Sequence, residues 1–150
     1  MEDLRAASEK LAGAWLALSS NVWRNRLMEE MTFHEFCICR LLHQSRKETH
    51  NATWLCRRTG ILRSQMNREL GAMEAKGYLR RLRMEEDRRQ VAILLLPKGE
   101  SVYLRQREAI LQLVDEIVAR LGAENAAAVA GQVQLVVQTL QAVFEQKGKE

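Results

Sequence analysis

The chain has 150 residues, 47% of them apolar and 28% charged, with a formal net charge of +4. That length suits one ordinary domain with a real core rather than two, and the balance of apolar and charged residues argues against both a disordered chain and a membrane protein. Three cysteines, an odd number, behind an acidic and polar start (MEDLRAASEK), predict reduced thiols, no disulfide framework and a cytoplasmic protein.

No segment approaches the run of roughly 18 apolar residues that a bilayer span needs, so no membrane partner is expected. The charge is unevenly spread. Lys and Arg against Asp and Glu number 2 to 3 in residues 1–23, 15 to 9 in residues 24–90, and 6 to 7 in residues 91–150. A basic centre between near-neutral ends fits a middle that meets a polyanion and ends that do something else, such as pairing subunits.

With a single proline, Pro97, and few glycines, little interrupts helices, and the chain is expected to be mainly α-helical. From Leu4 to Met28 the residues Leu4, Leu11, Trp15, Leu18, Val22 and Trp23 recur at helical spacing, which predicts one long amphipathic helix that needs a partner. Thr32 and Glu35 form a T-x-x-E capping box that opens the next helix, expected to run to about Ser45 with Phe33, Cys37, Ile38, Leu41 and Leu42 on its core face. A charged linker, Arg46 to Asn51, leads to a short helix over about Ala52 to Thr59, closed by Gly60 in the left-handed conformation. Another helix begins near Arg63 and ends at Gly77, burying Met66, Leu70 and Met73. The pair reads as a helix-turn-helix.

A hairpin follows. Tyr78, Leu79 and Leu82 alternate with Arg80, Arg81 and Arg83, and Val91 to Leu96 is a second apolar run, with a polar tip from Met84 to Gln90 between them. In that tip Asp87 can orient one guanidinium, so that the other of Arg88 and Arg89 reaches phosphate or a narrow minor groove. A solvated loop is the other reading. Pro97 to Leu121 and Ala123 to Gln146 then form two long helices parted at Gly122, with apolar stripes through Leu104, Leu111, Val114, Ile117, Val118 and Leu121, then Val129, Val133, Val136, Val137, Leu140 and Phe144.

On the helix from Arg63, Ser64 and Arg68 lie opposite Met66, with Gln65 and Asn67 beside them. These side-chain types read base edges: Gln and Asn pair with adenine and Arg with guanine, each good pair worth about 1–3 kcal/mol of discrimination. Arg57, Arg58 and Arg63 around the turn are placed for phosphates, which position without specifying. A solvated polar face carries the same residues.

The series L-C-R-R-T-G-I, then M-E-A-K-G-Y-L-R-R, then E-D-R-R-Q-V-A-I-L-L-L-P-K-G resembles the MarR family of winged helix-turn-helix regulators over about Thr32 to Gly99. The resemblance implies one MarR-like domain over residues 1–150, with the winged helix-turn-helix at about 32–99 and helical dimerisation parts at about 1–31 and 100–150. It implies a homodimeric, sequence-specific transcriptional regulator, most often a repressor, that binds a pseudo-palindromic operator in double-stranded DNA with half-sites about one helical turn apart. In the family's D-x-R wing pattern, Asp87-Arg88-Arg89 places Arg89 at the minor-groove contact. Two departures stand out: Leu95-Leu96 occupies the place of Leu-Thr before Pro97-Lys98-Gly99, and Leu62 stands where a Ser or Thr cap commonly opens the recognition helix.

The resemblance also implies a small aromatic or phenolic acid as effector, bound between the dimer region and the winged domain. Trp15 and Trp23 could line that site or serve packing alone, and His34, Arg40 and His43 could neutralise an acid. Redox- and metal-sensing relatives draw attention to Cys39 and His43. Cys37 and Cys39 stand about 200° apart around a helix and cannot bridge within it. Glu35, Cys39 and His43 share one side, a partial metal-ligand set that lacks a fourth donor from His34, His50 or Cys56, so no metal or other cofactor is assigned. A winged-helix interaction module without DNA binding is the rival from another class. An enzyme is not expected, since the chain has no phosphate-cradling glycine loop, metal pair or nucleophile with its base.

Overall fold

The computed structural model describes residues 2–24, 28–84 and 91–147. Among them the order is α1 (Glu2–Arg24), α2 (Phe33–Gln44), α3 (Ala52–Thr59), α4 (Arg63–Ala75), β1 (Leu79–Arg83), β2 (Val91–Leu95), α5 (Pro97–Leu121) and α6 (Ala123–Lys147). The fold is mainly helical with a two-stranded antiparallel hairpin, as expected; α1 is described as far as Arg24, and residues 25–27 lie outside the described residues. Packing divides the chain into two compact units, Met1–Ala109 and Ile110–Glu150, with the division falling inside α5.

The core of the first unit collects Ile38, Cys39 and Leu42 from α2, Leu55 from α3, Met66, Leu70 and Met73 from α4, Leu79 and Ile93 from the hairpin, and Val102 and Tyr103 from α5. Full burial of such a side chain contributes about 1.5–3 kcal/mol, so this cluster is what holds the short α3 and α4 at a fixed angle. The turn between them is closed by Gly60 at φ +73°, whose N–H donates to the Cys56 carbonyl at 2.9 Å. α4 opens at Leu62 with no side-chain cap, and its first turn is closed by the Met66 N–H on the Leu62 carbonyl at 2.8 Å.

The core face of α2 differs from the expected one. Phe33 is exposed and Cys37 and Leu41 are half-buried, while Glu35 and Cys39 join Ile38 and Leu42 inside. Glu35 is the cause. The capping box forms, with the Glu35 N–H on Thr32 Oγ1 at 3.2 Å and the Thr32 N–H on Glu35 Oε2 at 3.0 Å, and Lys76 Nζ donates to Glu35 Oε1 at 2.6 Å. A buried carboxylate is tolerated when paired and hydrogen-bonded in this way, and one turn later Cys39 follows it into the core.

The hairpin pairs Leu79 with Leu95 through to Arg83 with Val91. At its base the Leu96 N–H donates to the Tyr78 carbonyl at 2.9 Å, and Gly99 lies so close to the Tyr78 backbone that a Cβ there would collide with that carbonyl. Glycine in Pro97-Lys98-Gly99 is thus required by close approach.

In the second unit, the end of α5 and α6 meet at Gly122, φ +83°, whose N–H donates to the Val118 carbonyl at 2.8 Å. Val114, Ile117, Leu121, Val129, Val133, Leu135 and Phe144 remain exposed. Contrary to expectation, one stretch, Ala123–Gln146, is long and apolar enough to cross a membrane, at mean hydropathy 1.3 with none of it buried. Its Gln, Asn and Thr break the apolar run but carry no charge, so the average passes where a count of consecutive apolar residues does not.

Candidate nucleic-acid interface

With Met66, Leu70 and Met73 fully buried, α4 presents Ser64, Asn67 and Arg68 to solvent. Arg63, also exposed, donates from Nη1 to Thr53 Oγ1 at 2.7 Å, which aims its guanidinium along the start of α3. Arg57 and Arg58 extend from the last turn of α3, and the Arg58 guanidinium lies 5.7 Å from the Trp54 ring centroid. Gln65 is turned the other way. It is half-buried, its Nε2 is 3.2 Å from His34 Nδ1, and that same nitrogen is 3.1 Å from Glu69 Oε1. Six of the seven predicted helix-turn-helix contacts therefore face solvent, and the seventh belongs to a polar cluster with α2.

Beside this face, a groove of about 230 Å³ is lined by Asn51, Thr53, Arg63 and Asn67 and by Arg81 and Ile93 of the hairpin. The hairpin adds Arg80, Arg81 and Arg83, all exposed. Arg81 is engaged: its backbone N–H and its Nε and Nη2 all donate to the Glu74 carboxylate, at 2.9, 3.0 and 2.8 Å. These bonds hold the Glu74 carboxyl below its ordinary range. Glu74 was not among the predicted site residues; an acid seven residues before Arg81 of the basic hairpin was the available signal. Asp87, Arg88 and Arg89 lie outside the described residues.

The predicted effector residues separate. His34 and Arg40 line an open cleft of about 430 Å³ together with Phe33, Leu41, Arg58 and Ile61. His43 is elsewhere, with Nδ1 2.8 Å from Glu100 Oε1 and its ring tilted against that of Tyr103, centroids 5.3 Å apart. Trp15 is exposed on α1, and the side chain of Trp23 lies outside the described residues.

Glu35, Cys39 and His43 do not converge on a common point: Glu35 is bound to Lys76 and His43 to Glu100. Burial, with the Glu35 charge adding to it, pushes the Cys39 thiol up to about 12. Burial also raises Cys37, against an opposing pull from Arg40. These are environments of inert thiols rather than of reactive thiolates.

A MarR family model matches residues 31–90. Among solved structures the chain is similar to a MarR family protein from Bacillus stearothermophilus, at 21% identity over 94% of this chain and 98% of that one, TM-score 0.69. It is similar to the transcriptional repressor CouR bound to a 23-mer DNA duplex, at 24% identity over 85% of this chain and 89% of that one, TM-score 0.72. It is also similar to the PcaV transcriptional regulator from Streptomyces coelicolor in complex with its natural ligand, at 20% identity over 85% and 89%, TM-score 0.68. No curated protein matches.

Proposed function

We propose that the chain, whose residues 31–90 match a MarR family model, is a homodimeric, cytoplasmic MarR-family repressor that binds a pseudo-palindromic operator and is released by a small aromatic or phenolic acid. The observation that carries the DNA reading is the division of α4, with one face sealed by Met66, Leu70 and Met73 and the other offering Ser64, Asn67 and Arg68 between the arginines of α3 and of β1. That is the disposition a recognition helix needs in a major groove, with phosphate contacts on either side. The DNA-bound CouR structure supports it. In this reading Gln65 reaches a base only after leaving His34, and Asp87, Arg88 and Arg89 form the wing tip.

Self-association is supported by large apolar side chains exposed along α1 (Leu4, Leu11, Trp15, Leu16, Leu18) and, separately, along α6, since apolar surface on this scale marks an interface. Paired subunits would present two α4 helices to one palindrome. For the effector, the cleft holding His34, Arg40 and Arg58 against Phe33, Leu41 and Ile61 combines cations with an apolar lining, the chemistry an aromatic carboxylate requires; the ligand-bound PcaV structure supports a small-molecule site. Release follows if the acid binds better to a dimer whose half-site spacing is wrong for DNA, lowering affinity by that difference.

The test is selection of bound genomic fragments followed by a gel shift. Affinity should fall steeply with salt, and Arg68→Ala should lose about 1–3 kcal/mol on the selected site. Absence of any salt-dependent shift on every fragment contradicts the reading.

A further inference from the structure

We propose that Glu74 is a positioning residue for DNA recognition: it locks the wing to the recognition helix through Arg81, and Arg81 therefore serves this clamp rather than a phosphate. The inference rests on the DNA-binding reading above.

A free two-stranded hairpin has unpaired N–H groups along both outer edges and is held only at its base. Here one rung is gripped from both sides. Arg81 and Ile93 are cross-strand partners, and both of their N–H groups point away from the ladder. The Arg81 N–H donates to Glu74 Oε1 at 2.9 Å, and the Ile93 N–H donates to the His50 carbonyl at 2.8 Å. His50 is itself fixed, buried and stacked on Trp54 with ring centroids 3.7 Å apart and 17° between planes. One edge of the wing is thus tied to the recognition helix and the other to the start of α3, which limits rotation of the wing about its own axis. The other carboxylate oxygen, Oε2, accepts from both Nε and Nη2 of the Arg81 guanidinium, and these charge-assisted bonds add definition that the backbone bond alone lacks.

Two further observations support the assignment. Glu74 sits in the last turn of α4, where the helix dipole disfavours an acid and where no basic residue of the helix is present to offset it. An acid is also costly on a surface that meets DNA phosphates. Both disadvantages are offset if the carboxylate's work is to aim the wing.

The experiment measures binding of wild type, Glu74→Gln, Arg81→Ala and the double variant to a duplex selected by the wild-type protein from random sequences, and to poly(dI-dC), across a salt series. Both residues are partly exposed, and a thermal melt confirms folding at the assay temperature. Glu74→Gln should weaken the selected duplex about tenfold, within the range of coupled neighbours, while poly(dI-dC) binding stays level or rises. Arg81→Ala should lose the same factor with an unchanged salt slope, and the double variant should be no worse than either. The inference is overturned if Glu74→Gln binds the selected duplex as well as or better than wild type, or if Arg81→Ala lowers the salt slope by about 1, as loss of a phosphate contact would. If the wild type selects no duplex at all, the DNA-binding reading fails and this inference with it.

Discussion

Arg68 and Arg57 differ in what they can tell a base from. Both are exposed; in the proposed DNA-binding reading Arg68, on the outward face of α4, pairs with guanine, and Arg57, at the end of α3, meets the DNA backbone. Arg68→Ala should therefore relax preference at one operator position, read by competition among single-base variants, whereas Arg57→Ala should weaken all sequences alike and reduce the salt slope by about 1. Cys39 supplies a chemical check: fully buried and raised to about 12, its thiol should resist alkylation at neutral pH in the native protein, and mass spectrometry should find it modified only on unfolding. Outward polar residues of α4 were legible from a helical wheel. Glu35 and Gln65 were not, because their partners Lys76 and His34 lie 41 and 31 residues away in sequence, and a wheel holds no long-range contact.

Caps, turns and glycines were the legible features among the elements, since each is a local device. The Thr32 box and Gly60 stand where residue type alone places them, whereas α4 starts at Arg63 behind Leu62, which offers no side-chain cap. Thr32→Ala should cost about 1 kcal/mol in a denaturant melt. Gly99→Ala should cost more, about 1–3 kcal/mol or beyond, because the obstruction is backbone and cannot rotate away. Two exposed pairs bind elements together: Glu74 with Arg81, and Glu30 with Arg105 at 2.6 Å. Both carboxyls are held below their ordinary value of 4.5, chiefly by hydrogen bonds from those arginines. A depressed carboxyl stabilises the fold above the unfolded value and loses that contribution as pH falls through the folded one. Both pairs should thus persist at neutral pH and release only in acid below the usual carboxylate range, observable as exchange broadening of the Arg81 amide in an NMR titration.

Across the whole molecule the uneven charge was readable at once, and it coincides with the helix-turn-helix and hairpin. What composition could not supply is which apolar residues are core. Stripes on α1 and α6 read as packing faces, yet Leu4, Leu11, Val133 and Phe144 are exposed, because a single chain offers them no cover. If the proposed dimer covers them, light scattering should give twice the chain mass, and Val133→Glu with Phe144→Glu should shift it toward monomer and abolish tight operator binding.

Binding of DNA by a symmetric pair of subunits is read directly by a hydroxyl-radical footprint on the selected duplex. A recognition helix and wing from each of two subunits predict two symmetric sets of protection about one helical turn apart, each with a flanking minor-groove patch, both fading as salt rises. A single unsymmetric patch, or no protection at concentrations that shift the duplex, would rule out a two-fold dimer reading DNA through α4 and the wing.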